Sequence, residues 1–152
     1  MWQRIQTLWL LLAGVTMTLL LLVPLAMSSQ GVKFTAIGFT SPNLETNYIT
    51  WGLFALDALV AFLCFFTIFL FKKRKLQMRL CIFTALLIIG YIIYYVVLLL
   101  DYGKGILPMQ AEDKITPSIW LVLPLVALLF LYLSFKGIRR DEIKVRLMNR
   151  LR

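Results

Sequence analysis

The chain contains no histidine, only two cysteines and only seven acidic residues. Without an imidazole there is no histidine general base, no imidazole ligand for haem and none of the usual zinc sites, which excludes a large part of enzyme chemistry. The thiols of Cys64 and Cys81 fall at depths roughly 9 Å apart if each sits in a membrane helix at ordinary helical rise. A disulfide tolerates a Cα separation below about 7 Å, so the pair is expected to stay unbridged and to serve as small apolar packing groups. No grouping of acid, base and ligand side chains stands out. Neither a cofactor nor an enzyme activity is expected.

What is present is apolar length. Hydrophobic residues make up 61% of the 152, more than an ordinary soluble domain carries. They gather into four runs, over residues 5–27, 49–71, 80–101 and 117–136, each close to the roughly 20 residues that cross a hydrocarbon core of about 30 Å. The chain reads as an all-α membrane protein forming a single domain over residues 1–152. Four transmembrane helices would form a bundle of two antiparallel hairpins, followed by a C-terminal basic interfacial helix over 137–152. The first run is longer than the roughly 7 to 15 residues of a signal-peptide core, so it is expected to be a retained span.

The formal charge of +9 is unevenly placed. With the N-terminus on the cytoplasmic side, the inner segments hold Arg4, the block from Lys72 to Arg79 and the tail from Lys136 to Arg152. The outer loops hold only Lys33, Lys104 and Lys114. This asymmetry follows the positive-inside rule and places both termini in the cytoplasm. It also accounts for the basic residues without a nucleic-acid partner, since they lack interleaved aromatics or a binding motif. Trp2, Trp9, Tyr48, Trp51, Tyr102, Trp120 and Tyr132 fall near the expected boundaries, as an aromatic belt requires.

The outer loop from Ser28 to Tyr48 carries an apolar-polar alternation at Val32-Lys33-Phe34-Thr35 and turn residues at Ser41-Pro42-Asn43, which suggests a short β-hairpin on the membrane surface. The second outer loop, Asp101 to Thr116, reads as a solvated connector of balanced charge. In span four Pro124 removes a backbone donor from the carbonyl of Trp120, and a kink is expected there.

Asp57 lies in the second run, near 12 Å deep at helical rise. An ionised carboxylate there costs at least about 2.5 kcal/mol, so it should face the bundle interior, pair or hold a proton. Residues at matching depth supply its expected hydrogen-bond partners, giving a candidate intramembrane polar site of Asp57, Thr18, Tyr91 and Tyr94. A purely structural role as interhelical glue, worth about 1 kcal/mol, competes with a proton- or ion-coupled one.

In the tail, Ile143, Leu147 and Leu151 repeat every fourth residue and form one apolar stripe on a basic helix. Arg4, Arg139, Arg140, Arg146, Arg150 and Arg152 are the candidate contacts for anionic headgroups or for a docked protein. The opening Met1-Trp-Gln-Arg-Ile-Gln-Thr-Leu-Trp-Leu-Leu-Leu-Ala13 and the close Gly137-Ile-Arg-Arg-Asp-Glu-Ile-Lys-Val-Arg-Leu-Met-Asn-Arg-Leu-Arg152 resemble those of a family of small four-span inner-membrane proteins of Bacteroidota, known only as a domain of unknown function. Trp2 and Trp9 stand where that family has a smaller apolar residue and a Tyr. The resemblance implies a bacterial inner-membrane protein with cytoplasmic termini and no assigned activity, whose two polar ends meet at one face. The expected function is that of a non-catalytic accessory or scaffold subunit of a membrane complex, with membrane lipids and a protein as partners. The alternative is a small oligomeric transport or lipid-handling protein working through Asp57.

Overall fold

Each of the four apolar runs forms a helix. The computed structural model describes residues 2–28, 33–40, 48–49, 51–103 and 115–150. The helices are α1 (Trp2–Leu22), α2 (Trp51–Phe69), α3 (Arg74–Gly103) and α4 (Val122–Arg150). All four are long and apolar enough to cross a membrane. Between 22% and 33% of each span is buried inside the protein, so most of its apolar surface faces outward. A solvent of lipid is what such a surface requires.

The bundle closes as a ring. α1 packs on α2 and α4, and α3 on the same two neighbours. Buried positions recur every third or fourth residue, for example Leu10, Ala13, Met17 and Leu20 on α1, and Ala127, Leu131, Ser134 and Ile138 on α4, which is the helical spacing of one inward stripe. Spans two and three are neighbours, as their short basic connection predicts. A 3-10 turn over Leu70–Lys72 ends the apolar run, and Lys73 donates its N–H to the carbonyl of Leu70.

The helix ends differ from the sequence expectation for identifiable reasons. α1 stops at Leu22 rather than near Met27, because Pro24 has no N–H and biases Val23 away from helical geometry. A 3-10 turn (Ile119–Leu121) precedes α4 and places Pro124 in the first helical turn, where a missing N–H costs no intrahelical bond. Backbone N–H groups at that junction reach the carbonyls of Ile119 and Trp120, so the expected mid-span kink is replaced by a helix start. The basic tail is helical as expected, but it is an unbroken extension of α4 up to Arg150.

At the end opposite the basic residues, the loops build more than a hairpin. Strands β1 (Ala26–Ser28), β2 (Lys33–Phe34), β3 (Gly38–Thr40), β4 (Tyr48–Ile49) and β5 (Ile115–Pro117) form an antiparallel sheet in the order β4-β3-β2-β1-β5. The expected hairpin is β2–β3, closed by reciprocal bonds between Thr35 and Gly38. β5 brings the end of the second outer loop alongside β1, so that part is no free connector. The turn Ser41-Pro42-Asn43 and the acidic and basic residues of 104–114 lie outside the described residues.

The sheet sinks into the bundle rather than resting beside it. Leu25, Ala26, Phe34 and Ala36 are buried. Phe34 stacks on Tyr95 of α3 with ring centroids 5.7 Å apart. The Leu25 carbonyl accepts both the Tyr95 hydroxyl and the Ser118 N–H, each at 3.0 Å, while the Leu25 N–H donates to Phe34 at 2.7 Å. One residue thus ties α1, the sheet, α3 and the entry to α4 together.

Candidate functional site

Two polar places interrupt the apolar bundle. The first lies in its interior. Asp57 is on the inward stripe of α2, one turn below Leu53, and is fully buried. Across the α2–α3 seam stands Tyr91, also fully buried, one turn below Tyr95 and within electrostatic range of both Asp57 and Tyr95. Among the described residues, neither carboxyl oxygen of Asp57 nor the Tyr91 hydroxyl has a hydrogen-bond partner. Three polar oxygens so placed are expensive, because each has given up water without a replacement.

The other expected members of this site are elsewhere. The Thr18 hydroxyl donates to the carbonyls of Gly14 and Val15 on its own helix, at 3.0 and 2.9 Å. A hydroxyl satisfied within its own turn is withdrawn from the bundle interior. Tyr94 is one-third exposed and directs its hydroxyl at the backbone of Gly52, in the first turn of α2. Asp57 and Tyr91 are therefore the part of the expected site that the fold brings together. Cys64 on α2 and Cys81 on α3 are buried free thiols.

The second place is at the basic end, where the polar residues do find partners. Gln6 of α1 donates through Nε2 to Asp141 Oδ2 at 2.6 Å, and its backbone carbonyl accepts the Ser134 hydroxyl at 3.3 Å. Arg74, at the start of α3, donates to the backbone carbonyl of Asp141 at 3.3 Å. Gln77, buried between α2 and α3, donates to the carbonyl of Thr67 at 3.3 Å. Gly137 makes the α1–α4 approach possible, since a Cβ there would stand 2.8 Å from Gln6 Cγ.

Four helices are thus stitched at this end by Gln6, Arg74, Gln77, Ser134 and Asp141. The polar opening and closing segments meet, as the resemblance implied, through Gln6 and Asp141. Ser134 and Gln77 were not anticipated; a polar residue inside or beside an apolar run was the available signal. Arg139 and Arg140 are exposed on α4. The side chains of Arg4, Arg146 and Arg150, and all of Arg152, lie outside the described residues.

No group of three or more metal-ligating side chains occurs among the described residues. The fold and the two polar places define a multi-pass membrane protein: a four-helix bundle capped by a small sheet at one end and stitched by side-chain hydrogen bonds at the other. The chain belongs to the family described as a domain of unknown function, DUF4293, whose model matches residues 2–151. No curated protein and no solved structure matches it.

Proposed function

We propose that this protein is a non-catalytic accessory subunit of a larger assembly in the bacterial inner membrane, with both termini on the cytoplasmic side. The observation that carries the reading is the form of α4 beyond the apolar run. It continues as one helix to Arg150, is held to α1 by the Gln6–Asp141 bond, and presents Ile143, Val145 and Leu147 exposed among basic residues. A rigid projection with apolar side chains in a polar setting is a docking element for another protein. The charge asymmetry supports the orientation.

The test is gentle extraction of the tagged protein from its native membrane, followed by mass spectrometry of what remains bound through size exclusion. A stoichiometric partner supports the subunit reading. A protein recovered alone would remove it.

A second reading draws on the Asp57–Tyr91 pair. Unpartnered ionisable groups inside a membrane bundle are characteristic of proton and ion paths. In that reading the protein is a small transporter, and Asp57→Asn abolishes flux in proteoliposomes. Full flux in the variant would eliminate it.

A further inference from the structure

We propose that the seam between α3 and α4 at the basic end is a binding groove for one acidic glycerophospholipid, its phosphate at the mouth and an acyl chain along the floor. This goes beyond the subunit reading and does not depend on it.

α3 packs less extensively on α4 than α1 does on either of its neighbours. Its mouth is a cavity of about 520 Å³ bordered by Lys75, Arg79, Arg139 and Glu142, with Ile82 and Phe135 among the residues beneath them. A second cavity of about 260 Å³ also contains Ile82 and Phe135, and runs on past Ala85, Leu86, Ile89 and Leu128 with no charged residue in its lining. The shared residues make the two cavities one groove, charged at one end and apolar at the other.

The dimensions follow the bilayer. From Arg79 to Ile89 the helical rise is about 15 Å, half of a hydrocarbon core of about 30 Å. The groove therefore spans the depth of one leaflet, with its cations at the headgroup level. Three cations against the single carboxylate of Glu142 leave the mouth with a net positive charge, which complements a phosphodiester whose headgroup adds no cation of its own. A soluble anion would leave the apolar floor uncovered. A transmembrane helix, about 10 Å across with its side chains, would bring no anion to the mouth. Charge at one end and a leaflet's depth of apolar wall together specify an acidic lipid.

The full-length protein would be reconstituted in equal parts of phosphatidylglycerol and phosphatidylcholine, released into mild detergent and weighed by native mass spectrometry. One retained phosphatidylglycerol per chain is expected, in clear preference to phosphatidylcholine. The paired substitutions Arg79→Gln and Arg139→Gln should lower that preference about fivefold for each charge removed. Lys73→Gln, at the same end but outside the groove, should leave it unchanged. Ala85→Phe, which fills the floor, should reduce retention of the lipid while the mouth stays intact. The two Arg substitutions lie on the polar rim, so they report on the groove even if Ala85→Phe fails to fold. Equal retention of the two lipids, an unchanged preference in the Arg79→Gln, Arg139→Gln protein, or a second copy of the chain held in place of lipid would each overturn the proposal.

Discussion

Asp57 and Tyr91 are placed where side chains cost most and here receive nothing in return. Both are fully buried, and none of their three polar oxygens has a partner among the described residues. Since no hydrogen bond is lost by changing them, removing the carboxyl or the hydroxyl outright should stabilise the bundle. Asp57→Leu and Tyr91→Phe are each expected to gain about 1 kcal/mol. For a chain of this length that raises the melting temperature in detergent by about 2–4 °C, measurable by the loss of the monodisperse peak after heating. A fall instead of a rise would mean that Asp57 is interhelical glue holding a contact in the membrane. A gain in stability coupled to a loss of flux would mark the pair as a site retained for function at the expense of the fold.

Two elements hold the ends of the bundle, and each depends on one close approach. At the basic end, Gly137→Ala would set a Cβ against Gln6, whose side chain is already fixed by its 2.6 Å bond to Asp141. Gln6 cannot yield without losing that bond, so a loss of about 1–3 kcal/mol is expected, together with loss of cross-linking between positions 6 and 141. At the sheet end, Phe34→Ala removes the ring that fills the space against Tyr95. A cost of about 3–5 kcal/mol is expected, seen as protease cleavage appearing in the loops at that end first.

These elements also mark how far the sequence could be read. The four spans were legible because apolar length alone specifies them. The β2–β3 hairpin was legible from the alternation around Lys33 and Phe34. β5 was not, because Ile115-Thr116-Pro117 has no periodicity and is ordered by its partner Ala26–Ser28. Asp57 announced itself as a carboxylate in an apolar run. Matching depth picked out Tyr91 among its neighbours but could not sort it from the rest, since spans that are apolar nearly all round carry no period to fix their rotation. That is why Thr18 and Tyr94 were grouped with Asp57 on depth alone, whereas the fold turns one toward its own helix and the other toward Gly52.

For the whole molecule the deciding fact is a mismatch of lengths. α1 and α2, with 21 and 19 residues, are about as long as a hydrocarbon core is thick, whereas α3 and α4, with 30 and 29, are about 45 Å long. The excess of α4 lies at the basic end, where it runs on past the approach of Gly137 to Gln6, whereas α3 begins level with the end of α2 and carries its excess toward the sheet. At the basic end the molecule presents charge, an open groove and exposed apolar side chains on one face, while the sheet closes the opposite end. Lipid and protein can therefore be engaged by adjoining parts of the same projection, since Ile143 borders the groove between the helices and the stripe continues from it along the far turns of α4. Leu147 belongs to the stripe, is exposed and does not line the groove, so it separates the two. Leu147→Glu should leave the stability within about 0.5 kcal/mol of wild type, as an exposed substitution does, and should leave the retained acidic lipid in place. It should nevertheless remove the protein partner from the extracted complex, because a carboxylate would be buried unpaired in an apolar contact. Quantitative mass spectrometry of the wild-type and Leu147→Glu extracts reads this directly, and undiminished partner recovery would show that the α4 projection is not the docking element.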